Sequence, residues 1–324
     1  MVKLCAGVVF VFLALPLVPS SVDMAGAIEF YGRGEYQKAI DTLTRGAAAS
    51  LDSPERRLWI AKAYLQLRQW DGAIGELQRA AELEGSNCML HLWLGRAYGR
   101  KASHASLLSA FGLAKKVRAE FELAQSLCPE NHRVRFDLLS YYLEAPDFLG
   151  GGKDKARREA DEIAGLDPRL GYAARAVLAT RDKNWDLARN ELIQAVRSFP
   201  DNAEAHADLA DFYYRRGDFA AAASSAHEAL KLRNAYPKAQ LILAASHIEM
   251  RRDVAAAVRS LEALSAGPLL DDDPPFAEVF YELGRGYTAF GRMPDAIRAL
   301  ESALRFNPEH AGAKSALAEV RRLP

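Results

Sequence analysis

The sequence predicts an all-α chain, a solenoid of about eight helix pairs closed by a C-terminal capping helix. Three observations predict it. Apolar and small residues recur at three- and four-residue steps along most of the 324 residues, the stripe of helices that bury one face. The same paired pattern returns about every 34 residues, a period that signals a stacked array. The composition is half hydrophobic, with 42 Lys+Arg against 42 Asp+Glu. That balance excludes a disordered chain and leaves no global positive charge for a phosphate backbone. Three cysteines are too few for a disulfide-stapled scaffold. Length alone would argue for about two domains, but a repeat array removes that inference.

In chain order, the first element is an address. Lys3 precedes a mostly apolar, uncharged run from Leu4 to Val18, broken by Pro16 and Pro19. The run is short for a membrane span of about 20 residues and has the form of a secretory signal peptide over residues 1–21. Cleavage is expected near Ser20–Ser21, with Ala27 as a later option and an uncleaved anchor as the alternative. We expect export to a bacterial periplasm and no membrane span in the mature chain. Cys5 lies too near the start to be a lipoprotein acceptor.

The clearest helix pair runs from Phe280 to Pro308. Leu283, Gly284 and Tyr287 mark its first helix, Gly291 the turn, and Ala296, Leu300, Ala303 and Leu304 its second. Small residues stand where two backbones approach, and Pro308 ends the second helix because it has no N–H to donate. The frame recurs with Ala61, Tyr64, Trp70, Ala73 and Leu77, with Ala176, Trp185, Ala188 and Leu192, and with Ala210, Tyr213, Gly217, Phe219 and Ala222. One position in each second helix serves as a ruler: Ala39, Ala73, Val117, Ala156, Ala188, Ala222, Ala257 and Ala296. The spacings are 34, 44, 39, 32, 34, 35 and 39 residues. This pattern resembles the tetratricopeptide repeat. It covers residues 22–310, with repeats ending near 54, 87, 131, 168, 202, 237, 275 and 310. Residues 311–324 read as a capping helix with one polar face, which the end of a solenoid needs.

Three segments depart from the period. The longest interval contains an insertion at 100–116, basic (Arg100, Lys101, Lys115, Lys116, then Arg118) and apolar (Leu107, Leu108, Phe111, Leu113). It reads as a longer helix pair packing those apolar residues on its neighbour, or as a partner-facing element. Gly150, Gly151, Gly152 and Lys153 form a glycine-rich loop, read as a flexible connection or as an anion cradle at a helix start; the spacing of a nucleotide P-loop is absent. Residues 269–275, Leu-Leu-Asp-Asp-Asp-Pro-Pro, read as a solvated linker. In the repeat frame Cys88 opens one helix and Cys128 closes its antiparallel partner, so both lie at one end of the pair, as a disulfide or as two packed thiols.

No histidine pair has HExxH or zinc spacing and no GxSxG occurs, so no catalytic residue, metal or cofactor is expected. The first helices of tetratricopeptide units line a concave surface that holds a peptide or a partner's helix. The resemblance therefore implies groove-facing roles for Trp59, Lys62, Trp93, Arg96, Arg100, Arg133, Asp211, Tyr214, Tyr281 and Arg285. Trp59 and Trp93 fall in equivalent slots, as do Lys62 and Arg96. This aromatic and basic stripe suits an acidic or carboxyl-terminal peptide, or is a solvated mixed-charge face. The asparagines of the carboxylate clamp in chaperone-binding relatives are missing, so chaperone tails are not expected. The expected function is a non-enzymatic scaffold or adaptor for a protein or peptide partner, not for nucleic acid. The alternatives are a small-molecule or anion receptor at Gly150–Lys153 with Arg157 and Arg158, and a self-associating structural module.

Overall fold

The computed structural model describes residues 23–45 and 53–322. The proposed signal peptide, its Ser20–Ser21 cleavage point and the last two residues of the cap lie outside them; Ala27, the later cleavage option, is buried in the first helix. The described residues form seventeen helices and no strand. They are paired as α1 (Met24–Gly32) with α2 (Tyr36–Thr44), α3 (Pro54–Gln66) with α4 (Trp70–Leu83), and α5 (Cys88–Ala102) with α6 (Leu107–Leu127). Next come α7 (His132–Glu144) with α8 (Lys153–Leu166), α9 (Pro168–Arg181) with α10 (Trp185–Ser198), and α11 (Ala203–Arg215) with α12 (Phe219–Leu232). The last pairs are α13 (Pro237–Glu249) with α14 (Val254–Ala266) and α15 (Phe276–Ala289) with α16 (Met293–Phe306), before the cap α17 (Ala311–Val320).

Local chemistry sets these boundaries. The side chains of Ser53, Asn87, Asn131, Asp167 and Asn202 accept hydrogen bonds from the first-turn amides of the helices they precede, which have no intrahelical partner. Pro54, Pro168 and Pro237 occupy first-turn positions, where the missing N–H costs nothing. In six pairs the turn between the two helices holds a residue at positive φ just after the first helix. Gly34, Gly217 and Gly291 fill that slot, but Arg68, Lys183 and Arg251 hold it in three other pairs, at φ 60°, 58° and 52°. A side chain there carries a left-handed cost of about 1–2 kcal/mol.

All eight ruler positions are buried, seven of them alanines at 3% exposure or less. Glycine permits the tightest crossings. A Cβ on Gly95 would lie 2.4 Å from the Phe121 ring, and one on Gly284 would lie 2.6 Å from Leu300. The insertion makes α6 the longest helix, 21 residues. Leu113 packs on the core as expected. Leu107 and Leu108 do not: they are 70% and 85% exposed, because the extra residues carry the start of α6 past its neighbours. Phe111 meets Phe148 edge-on at 5.5 Å, and Phe148 is itself exposed.

The structure joins Cys88, the first residue of α5, to Cys128, which caps α6, in a disulfide with a Cα separation of 5.9 Å. The array then turns back on itself. Phe306 of α16 stacks on Phe276 at 5.0 Å and meets Tyr36 of α2 edge-on. Its ring leaves no room for a Cβ at Gly34, 2.9 Å away. Arg68 reaches Glu309 at 2.8 Å. Residues 267–275 are not the solvated linker that three consecutive acids predict. They form a strap inside the closed array: the Leu269 N–H donates to the Gly32 carbonyl at 2.7 Å, Leu269 is buried, and Asp271 is fixed by an ion pair.

Reducing the disulfide is expected to lower unfolding free energy by about 2 to 4 kcal/mol for a loop of this length, read from denaturant curves with and without reductant. Lys183→Gly, at an exposed left-handed position, is expected to gain about 0.5 kcal/mol and Lys183→Val to lose stability, by thermal melting.

Candidate functional site

The odd-numbered helices carry the stripe, and α3 and α5 bring its equivalent slots into register. The Lys62 ammonium lies 4.2 Å from the Trp59 ring centre and 4.8 Å from that of Trp93. The Arg96 guanidinium lies 4.8 Å from the same Trp93 ring centre. The result is a ladder of cations and indoles held by ring quadrupoles. Lys62 is buried and gains its counter-charge from the strap: Nζ donates to Asp271 Oδ2 at 2.7 Å. The Tyr31 hydroxyl donates to the other oxygen of that carboxylate at 3.0 Å and accepts from Gln66. Burial, then the neighbouring Asp271 charge, push the Tyr31 phenol well above its usual range.

The rest of the strap is tied at each acid. Asp272 pairs with Arg133 of α7. Asp273 accepts from the Leu270 N–H at 2.8 Å and closes a turn. Of the remaining stripe, Arg96 is held by Asp137 through two donors, at 2.5 and 3.3 Å, so it is a braced cation. Arg100 is exposed and has no ion-pair partner among the described residues.

Tyr214, Tyr281 and Arg285 belong to a separate cluster. Arg285 bridges Glu249 at 2.6 Å and Glu282 at 3.0 Å, and the Tyr214 hydroxyl donates to Glu282 at 3.0 Å. Burial pushes the Glu282 carboxyl above its ordinary range, against the pull of Arg285. Tyr281 lies against the His310 ring at 4.7 Å, and Asp211 pairs along its own helix with Arg215. These groups satisfy one another and do not join the stripe.

The glycine loop is closed on itself. The amides of Gly150, Gly151 and Gly152 donate to the carbonyls of Asp147, Pro146 and Tyr142, and Lys153 pairs with Asp182. Arg157 binds Asp154 one turn away; Arg158 has no ion-pair partner among the described residues. The donors that an anion cradle needs are therefore already engaged. In the basic insertion, Lys101 pairs with Asp71 and Lys116 lies over the Tyr98 ring.

The strap divides the concave space. A cavity of about 990 Å³ on one side is lined by Arg96, Arg133, Arg169 and Arg233, against Asp137 and Glu204 and the strap's Asp272 and Asp273. A second, of about 960 Å³, is lined by Trp70, Trp93, Arg68, Arg100, Tyr141 and the strap. Arg169, half-buried in the first, has no side-chain partner among the described residues. Sequence reasoning missed Arg169 and Tyr31, and misplaced Asp271–Asp273. The available signal was the matching of an acidic run with a basic stripe, but only the closure brings residues 62 and 271 together.

A tetratricopeptide repeat family model matches residues 24–87 and 173–239. The chain contains tetratricopeptide repeats. Among solved structures, yeast Tom70 is similar at 15% identity over 92% of this chain and 80% of that one, with a TM-score of 0.52; the likeness is one of fold. A tetratricopeptide repeat protein from Parabacteroides merdae shares 15% identity over 83% of this chain and 98% of its own, TM-score 0.48. The matched chain in the APC/C hetero-tetramer Cut9–Hcn1 shares 14% identity (TM-score 0.48); 91% of this array aligns, and it spans only 54% of that chain. No curated protein matches the sequence.

The Lys62–Asp271 pair is the least exposed ion pair between the helices and the strap. Lys62→Met is expected to cost about 3 kcal/mol by stranding a buried carboxylate, and adding Asp271→Leu to recover most of that loss. A double-mutant cycle in denaturant checks both.

Proposed function

We propose that the chain is a non-enzymatic adaptor that binds a protein partner in its concave groove. The repeat fold supports an interaction role in general. The observation that carries the specific reading is the ladder of Trp59, Lys62, Trp93 and Arg96, which already holds a polypeptide segment through one of its carboxylates, Asp271 on Lys62. Aromatic rings and arginines in partly desolvated clefts are the side chains that dominate peptide and protein binding. The cavities on either side leave room for a chain to lie along the groove, with Arg100 and Arg169 free to pair. We place this activity outside the cytoplasm: the apolar leader supports export, and a disulfide is the bond an oxidising compartment maintains. The anion-receptor alternative loses its support, because the amides of residues 150–152 are engaged.

Site-specific photo-crosslinking in the source cell tests this. A photoreactive residue at Arg100 or Arg169 is expected to capture a discrete protein adduct, and one at Arg79 or Arg298, exposed on second helices, is not. Adducts from the second-helix positions alone would place the partner surface elsewhere.

A further inference from the structure

We infer that the strap is an internal stand-in for the partner: the groove takes an extended segment of another protein carrying consecutive carboxylates, and that segment binds by displacing residues 267–275. The inference rests on the groove reading above and adds the chemistry of the ligand and the state of the free site.

Chain length is the first argument. Successive pairs are joined by four residues at 84–87, 128–131, 199–202 and 233–236, by Asp167 alone between α8 and α9, and by nine residues at 45–53. The connection from α14 to α15 takes nine, residues 267–275. Four suffice to join most neighbouring pairs, and residues 267–275 spend their extra length on contacts to α1, α3 and α7.

Charge is the second. With the strap in place, the cavity beside α7 and α9 opposes Arg96, Arg133, Arg169 and Arg233 to four carboxylates, two of them from the strap. With the strap withdrawn, Arg96 keeps Asp137 and Arg233 keeps Glu204, while Arg133 and Arg169 are left facing the cavity without a carboxylate. Such a surface recruits carboxylates. Even now Arg169 is unpaired among the described residues and Arg133 reaches only the exposed Asp272. The strap leaves one base, Arg169, without a carboxylate, because Asp273 turns back onto the Leu270 N–H; an acidic segment that reached Arg169 would satisfy it.

The third argument is uneven attachment. Leu269 and Asp271 are anchored, while Leu270 is 43% exposed and the Asp272 side chain 70% exposed. Surface ion pairs of that kind contribute little stability, so the stretch around Asp272 can yield first while Asp271 still holds. Binding then carries a penalty set by the fraction of molecules with the strap out.

The test titrates a fluorescently labelled peptide of residues 267–276 and reads anisotropy. Against the wild-type chain it is expected to bind weakly. Against Asp271→Asn/Asp272→Asn/Asp273→Asn it is expected to bind at least about tenfold tighter, since the internal competitor is weakened. Adding Lys62→Met and Arg133→Met should abolish that gain, and a peptide with asparagine at all three acids should bind neither protein. If the triple variant does not fold, Asp272→Asn/Asp273→Asn, which keeps the buried pair, should still gain about threefold. Equal binding by wild type and a folded strap variant overturns the inference. Groove crosslinks with no such gain sink the displacement idea alone; a gain without groove crosslinks sinks the adaptor reading and leaves the strap a competitor for acidic peptides.

Discussion

Where the two helices of a pair cross, the side chain on the second helix must be small enough for the backbones to approach. Ala39, Ala73, Ala156, Ala188, Ala222, Ala257 and Ala296 stand at that point, almost wholly out of solvent. Elsewhere a larger residue is accommodated by removing its opposite number: Phe121 lies over Gly95, and Leu300 over Gly284. Close-packed interiors tolerate little change in volume, so this contact fixes the angle within each pair. The stacking of pairs, and with it the curvature of the array, follows from repeating that angle.

Curvature has an electrostatic consequence. It brings α1 and α3 opposite the connection between α14 and α15, residues more than 200 apart in sequence. The net charge of zero conceals a basic inner stripe, two of whose cations, Lys62 and Arg133, take their carboxylates from the strap. Lys62 is buried beneath two indoles and an Asp271 carboxylate, and the desolvation of such a pair is offset only when both partners are present. Closure and the strap are thus linked: Phe306 on Tyr36 and Arg68 on Glu309 bring the ends together, and the strap lies along the inner face between them.

The third pair shows how the array tolerates disruption. Its insertion lengthens α6 and leaves Leu107 and Leu108 in solvent. The disulfide ties the opposite end of the same pair, and Phe121 over Gly95 holds the middle. A solenoid depends on nearest-neighbour interfaces, and the contacts of this pair with its neighbours are kept while the added length is carried at its free end.

The sequence by itself determined the helices, their pairing and the frame. The spacing of Ala39 through Ala296 reads out a local rule, three- and four-residue periodicity with a small residue at each crossing, and local rules are visible in one dimension. It also placed Trp59, Lys62, Trp93 and Arg96 on one stripe, since equivalent slots in stacked units share a face. Only the tertiary structure decided what that stripe touches. Whether Asp271 meets water or Lys62, whether Arg285 faces a ligand or Glu249 and Glu282, and whether the Gly150–Gly152 amides are open depend on small rotations summed over eight pairs. No local pattern records that sum; a change of a few degrees at each crossing would leave the same sequence signal and an open groove.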